Sequence, residues 1–205
     1  MGLQTDGIST PDLNTLTSIS GDVVYDFETG DTSRWTQDTN LTAVQDRVHN
    51  GSYAGYISGS QDPEAHAQPY DGDERQLSKL EYFWNDSNSG HGGGMQVRDG
   101  NGNIVLGLAT DNPSWVIIDG NGSGQVFGGD GVDRWVRFTV TFDWGAGTFD
   151  VDFEDLQSGS TYTDSGRPLV NTTGVAEVEL EHFNEGSFSD SSAIEMWFDE
   201  IGFYP

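Results

Sequence analysis

Residues 135–154 read WVRFTVTFDWGAGTFDVDFE, and they decide the fold. Val136, Phe138, Val140 and Phe142 recur at every second position. After the tetrapeptide WGAG at 144–147 the same period returns, with Phe149, Val151 and Phe153 set against Asp150, Asp152 and Glu154. A period of two with one apolar side marks half-buried antiparallel strands, so the stretch reads as a hairpin lying on a core. The alternation recurs at Ala176, Val178 and Leu180 against Glu177, Glu179 and Glu181, and at Ile194, Met196 and Phe198 against Glu195, Trp197 and Asp199. Clusters at 99–103 (DGNGN) and 119–124 (DGNGSG) mark two further hairpin loops. No stretch of ten residues carries a helical stripe. Many short strands between turn signals predict an all-β, two-sheet antiparallel β-sandwich, with Trp35 and Trp84 in its core.

Outward from that core, the 205 residues suffice for one domain over 21–205, preceded by a polar, Ser- and Thr-rich N-terminal arm at 1–20. Charge sets the milieu. There are 34 Asp and Glu against 8 Lys and Arg, a net charge of −26, and Lys79 is the lone lysine. Such a chain repels itself in dilute buffer, whereas at molar salt the Debye length falls to about 3 Å and carboxylates hold a hydrated, cation-rich layer. The expected solvent is brine and the expected source a halophile, an archaeon or its virus. Seven scattered arginines and one lysine cannot form a phosphate-binding patch, which excludes a nucleic-acid partner. No apolar run is long enough for membrane insertion, and without cysteine there is no disulfide or thiolate chemistry.

Four segments carry a family resemblance: 25–35 (YDFETGDTSRW), 50–58 (NGSYAGYIS), 133–143 (DRWVRFTVTFD) and 196–203 (MWFDEIGF). In this order they resemble the strands of concanavalin A-like lectin and laminin-G-like jelly rolls, including laminarinase-like enzymes, of the kind found in haloarchaeal and haloarchaeal-virus proteins. The resemblance implies that first and last strands lie together. It also implies a structural calcium held by an acidic side chain and carbonyls there, and Asp26, Glu28 and Asp199 are the matching positions.

Candidate chemistry follows from residue types. Trp135 and Trp197 fall opposite the apolar alternation, beside Arg137 and Glu195, and Trp115 precedes a strand at a loop edge. Aromatic faces flanked by guanidinium and carboxylate groups suit sugar stacking, so Trp115, Trp135, Arg137 and Trp197 are the candidate carbohydrate-binding residues. Glu177, Glu179 and Glu181, like Asp150, Asp152 and Glu154, line carboxylates along one strand face, a geometry that laminarinase-type glycosidases use; in the Glu177–Glu181 row the middle Asp is Glu, and halophilic surfaces produce such rows anyway. Residues 119–130 space acidic groups like a calcium loop but lack the closing Glu and the helices. His91 begins a HGGG run with no nucleophile elbow to serve, and His49, His66, His91 and His182 show no paired zinc spacing.

The N-terminus lacks the basic and apolar regions of a secretory leader, so the expected route to brine is cell lysis. The expected function is that of a non-catalytic, lectin-like structural module of an extracellular assembly, foremost a virion surface. Its arm docks on partner subunits in a homo-oligomer or larger particle, and it contacts host glycans. The alternatives are a stand-alone secreted or cell-surface carbohydrate-binding protein, which sequons at Asn40, Asn50, Asn85, Asn121 and Asn171 would fit, and a laminarinase-like glycoside hydrolase.

Overall fold

A computed structural model describes Ile19 and residues 21–36, 40–59, 63–87, 93–111, 114–127, 133–182 and 194–205. Among them are fourteen strands and no helix. In chain order they are β1 (Val23–Tyr25), β2 (Leu41–Val44), β3 (Ala54–Gly59), β4 (Glu64–Ala67), β5 (Lys79–Asp86), β6 (Gly93–Arg98) and β7 (Ile104–Asp111). There follow β8 (Ser114–Asp119), β9 (Gly122–Phe127), β10 (Trp135–Asp143), β11 (Thr148–Asp155), β12 (Thr161–Pro168), β13 (Glu177–His182) and β14 (Ile194–Tyr204). They form two antiparallel sheets. The larger runs β12-β11-β10-β5-β14-β3-β2, with β1 also on β14, and the smaller runs β4-β13-β6-β7-β8-β9.

The deciding stretch folds as read. β10 and β11 pair from Val136↔Asp155 to Asp143↔Thr148, and Val136, Phe138, Val140, Phe149 and Val151 lie at 1% exposure or less. Both glycine-rich clusters are hairpin turns. The second is a two-residue turn of Gly120 and Asn121, since Asp119 pairs with Gly122, whose φ of 110° suits only glycine. The first is built on Asp99, which accepts the N–H groups of Asn101 and Asn103 at 2.8 Å and the Asn171 amide at 2.9 Å, tying the β6–β7 turn to the segment before β13.

The inner faces meet in one aromatic core. Trp115 stands edge-on to Trp84 at 4.6 Å and to Phe138 at 5.0 Å, and Tyr82 stacks on Phe138 at 5.2 Å. Fully burying each such side chain contributes roughly 1.5–3 kcal/mol, more where edge-to-face geometry is kept. First and last strands do lie together, β1 pairing with β14 from Val23↔Phe203 to Tyr25↔Ile201.

In β14 the alternation read as continuous from Ile194 breaks at a β-bulge. Met196 and Phe198 face the core, then Ile201 and Phe203 do, because Asp199 pairs with Phe83 and Gly202 with Glu81. Glu200 is the extra residue and takes a left-handed φ of 46°. Of the N-terminal arm only Ile19 is among the described residues; it is buried against Gly202.

Candidate functional site

The outer face of the larger sheet is laid out in rows by strand register. Trp135, Asn85 and Trp197 form one row across β10, β5 and β14, and Arg137, Phe83 and Asp199 form the next. Outward-facing residues on a central strand would normally be wet, yet Glu81, Phe83 and Asn85 are buried, as is all of β5 except Lys79. Glu81 lies under Arg137, Lys79 and Tyr204, and the cover of Phe83 and Asn85 is the β2–β3 connection. His49 lies flat on Phe83, ring centroids 3.6 Å apart, and meets Trp135 edge-on at 5.8 Å. Arg47 sits over Trp197 at 4.2 Å and donates to Asn85 at 3.0 Å and Asp133 at 2.8 Å.

Two carboxylates pin this loop by its backbone. Asp199 Oδ2 accepts the N–H groups of His49 and Asn50 at 3.0 and 3.1 Å, and Glu28 accepts those of Ser52 and Tyr53 at 2.8 and 3.0 Å. The bulge adds Glu200, which accepts the Asn50 amide at 3.1 Å. Gly51, at φ 77°, lies against Glu28 so closely that a Cβ would fall 2.3 Å from its carboxylate. Burial pushes the Asp199 carboxyl up to about 8; the N–H groups of Asn50, His49 and Glu200 oppose this only partly, and the Glu200 charge adds to it. At neutral pH it is therefore the neutral acid.

Two clefts lie along this face, one at Trp135 and one at Arg137. One of about 350 Å³ is lined by His49, Asn85, Asp133, Arg134, Trp135, Leu156 and Gln157. The other, of about 240 Å³, lies beyond Arg137 and is bounded by Thr139, Asp152, Glu154, Thr161 and Tyr162. Each guanidinium here faces a carboxylate: Arg47 on Asp133, Arg134 on Asp155 at 2.9 Å, and Arg137 on Glu81. The clefts thus combine half-buried and exposed aromatic faces with amides and charge-balanced polar groups.

No protein-family model matches the chain, and no curated protein does. Solved structures do match in shape. The apo Crh5 transglycosylase shares 8% identity over 91% of this chain and 88% of its own, at a TM-score of 0.59. Lectin UEA-II complexed with galactose shares 8% identity over 88% of this chain and 99% of its own, at 0.52. The fold is the concanavalin A-like jelly roll. A sialidase also matches, at 8% identity and a TM-score of 0.59, with 91% of this jelly roll covering 19% of that chain.

Within the jelly roll the candidate residues separate. Trp135 and Arg137 line the clefts, as the alternation placed them. Trp115 does not: at 1% exposure it belongs to the core, because β8 begins one residue earlier, at Ser114, and turns the indole inward. Trp197 faces outward but is 6% exposed beneath Arg47 and beside Tyr56, so it is no open platform. Asp26, Glu28 and Asp199 are not a gathered ligand set either. Asp26 Oδ1 accepts the N–H of Glu28, and the other two accept N–H groups of the 49–53 loop, so the three serve separate backbone contacts.

The carboxylate rows are likewise engaged: Asp150 accepts from Gly166, Asp152 from Thr163, and Glu179 pairs with Arg98 and His66. The HGGG run at 91–94 and the spaced acids at 119–130 fall partly outside the described residues. Two features escaped the sequence reading. Tyr162, 40% exposed at the sheet edge, had no periodic signal, and the gathering of Glu64, His66 and Glu179 depends on strand register.

Proposed function

We propose that this jelly roll is a non-catalytic carbohydrate-binding module, and that a neutral glycan lies along the outer face of the larger sheet from Trp135 to Tyr162. The observation that carries the reading is the pair of clefts on this side, one walled by Trp135 with the Asn85 and Gln157 amides and Asp133 around it, the other by Tyr162 with the Thr139 and Thr161 hydroxyls, Asp152 and Glu154. Sugar rings present apolar C–H faces to aromatic rings and hydroxyls to such groups. Because the guanidinium groups already face carboxylates, an acidic sugar gains no unshared cation there, which favours a neutral one.

The non-catalytic reading rests on the same carboxylates. A glycosidase needs a protonated acid in contact with substrate. Asp199 has the raised pKa, but it is fully buried and bonded to the loop backbone. In the wider proposal the module is a subunit of an extracellular assembly in brine, a virion surface or cell surface, where its net charge of −26 keeps it soluble.

The test is a glycan-array and host-envelope binding assay at about 3 M salt, where the charge is screened. Saturable binding to neutral glycans, weakened at least tenfold by Trp135→Ala and by Tyr162→Ala, is expected. Binding that survives both substitutions, or none at all by the folded chain, would overturn the proposal.

A further inference from the structure

The opposite side of the molecule carries a second cluster, on the outer face of the smaller sheet. β4 is an edge strand whose Ala65 and Ala67 point into the core, so Glu64 and His66 stand side by side facing out. Register sets Glu179 of β13 opposite His66 and Glu181 opposite Glu64. His66 Nδ1 lies 2.8 Å from Glu177 Oε1. A carboxylate can only accept, so Nδ1 donates to Glu177, and Nε2 is left as the ring nitrogen that a metal ion can take in place of a proton.

That Nε2 is buried without a hydrogen-bond partner, and it faces Glu179 Oε1 at 3.2 Å and Glu64 Oε2 at 3.8 Å. Three electron-pair donors therefore converge, all within 4.8 Å of one another. The geometry points to a divalent metal site of zinc type, with His66 Nε2, Glu179 Oε1 and Glu64 Oε2 as ligands and water completing the shell.

Four observations support it. A metal with bonds near 2.0–2.2 Å spaces its ligand atoms about 3 to 3.5 Å apart, so one contact already fits and a small inward swing of Glu64 completes the other. Glu64 is the most exposed of the three, at 40%, and gives the ion its route in. The outer partners are also in place: Glu177 orients the imidazole, and Arg98 holds the other oxygen of Glu179, the carboxylate–histidine–metal arrangement that fixes ring tautomer and ligand direction. Finally, Gln96, the register neighbour of Glu179 on β6 and 5% exposed, has an Oε1 with no hydrogen-bond partner. One imidazole nitrogen with carboxylate oxygens selects a borderline first-row dication over calcium, which takes oxygen ligands alone. The site lies on the other sheet from the clefts and does not depend on the glycan reading.

The test is calorimetric titration of the EDTA-stripped full chain with Zn²⁺ at molar salt, where scattered surface carboxylates compete least. One equivalent is expected to bind, at least tenfold more weakly in His66→Gln and in Glu64→Gln, and to raise the unfolding midpoint of the unaltered chain only. His66→Gln that fails to fold leaves Glu64→Gln, at the exposed position, to decide. No one-to-one binding, or equal binding in the unaltered chain and the variants, would overturn the proposal; the cluster would then be a proton site, with an imidazolium bridging Glu177 and Glu179.

Discussion

The carboxyl of Asp199 accepts the backbone N–H of His49 at 3.0 Å, across 150 positions of the chain. That contact joins the closing strand to the loop that roofs the outer face, and it does so with an acid that burial keeps protonated.

Its pH consequence has a definite sign. Asp199 titrates near 8 when folded and near 4 when unfolded, so between those values the folded state holds a proton that the unfolded state has lost. Stability should fall as pH rises from about 4 to about 8, by on the order of a few kcal/mol, and then level. Asp199→Asn keeps a neutral group of the same shape and should flatten that slope, exceeding the parent at pH 8 and above. Urea midpoints across pH 5 to 9 at fixed high salt check this; a parent midpoint that climbs through the window would count against a buried neutral acid.

Asp99 behaves oppositely. Burial works to raise its pKa, but the Asn103 amide, the N–H groups of Asn103 and Asn101, and the Asn171 amide outweigh it and hold the carboxyl at about 2. Its contribution is present above the unfolded value and disappears as pH falls from about 4 towards 2. Asp99→Ala should cost about 3 kcal/mol at pH 7, and much less at pH 2, in thermal or urea unfolding.

Gly51→Ala tests the loop anchor. The new methyl meets Glu28 and the backbone is left-handed there, so a loss of about 1–3 kcal/mol is expected. Amide exchange should rise at Ser52 and Tyr53 before it rises in β5; uniform exchange would show that the loop is not held separately.

Two tryptophans should part company. Trp115→Ala empties the aromatic core and should cost about 3–5 kcal/mol, whereas the half-buried Trp135→Ala should cost distinctly less and act on glycan binding. Equal destabilisation would place Trp135 in the core as well.

What could be read in advance follows a physical division. The hairpin from Trp135 to Glu154 was legible because one face is buried and the other wet, so the period of two survives in the sequence. Trp115 reads as a residue before its strand, but the strand starts at Ser114, and a single indole at a strand start has no neighbours to set its parity. Trp197 was assigned to the correct face but not to its roof, because Arg47 reaches it only through tertiary folding. Asp26 and Glu28 follow β1 and Asp199 lies in β14, yet which atoms a carboxylate meets is decided by loops, and here those include backbone amides. His66 and Glu179 lie in separate strands, and only pairing in one register makes them neighbours.

The bulge in β14 has one more consequence. Glu200 and Ile201 together fill the slot opposite Tyr82, so Glu200 can be lifted out of the strand without turning any other side chain over. Ile201 and Phe203 would still face inward and Asp199 outward. What would vanish is one carboxylate, the one that reaches Asn50. A single inserted residue has thus equipped the exterior of this sheet while leaving its interior wall untouched, so the chemistry of one side can be revised without rebuilding the other.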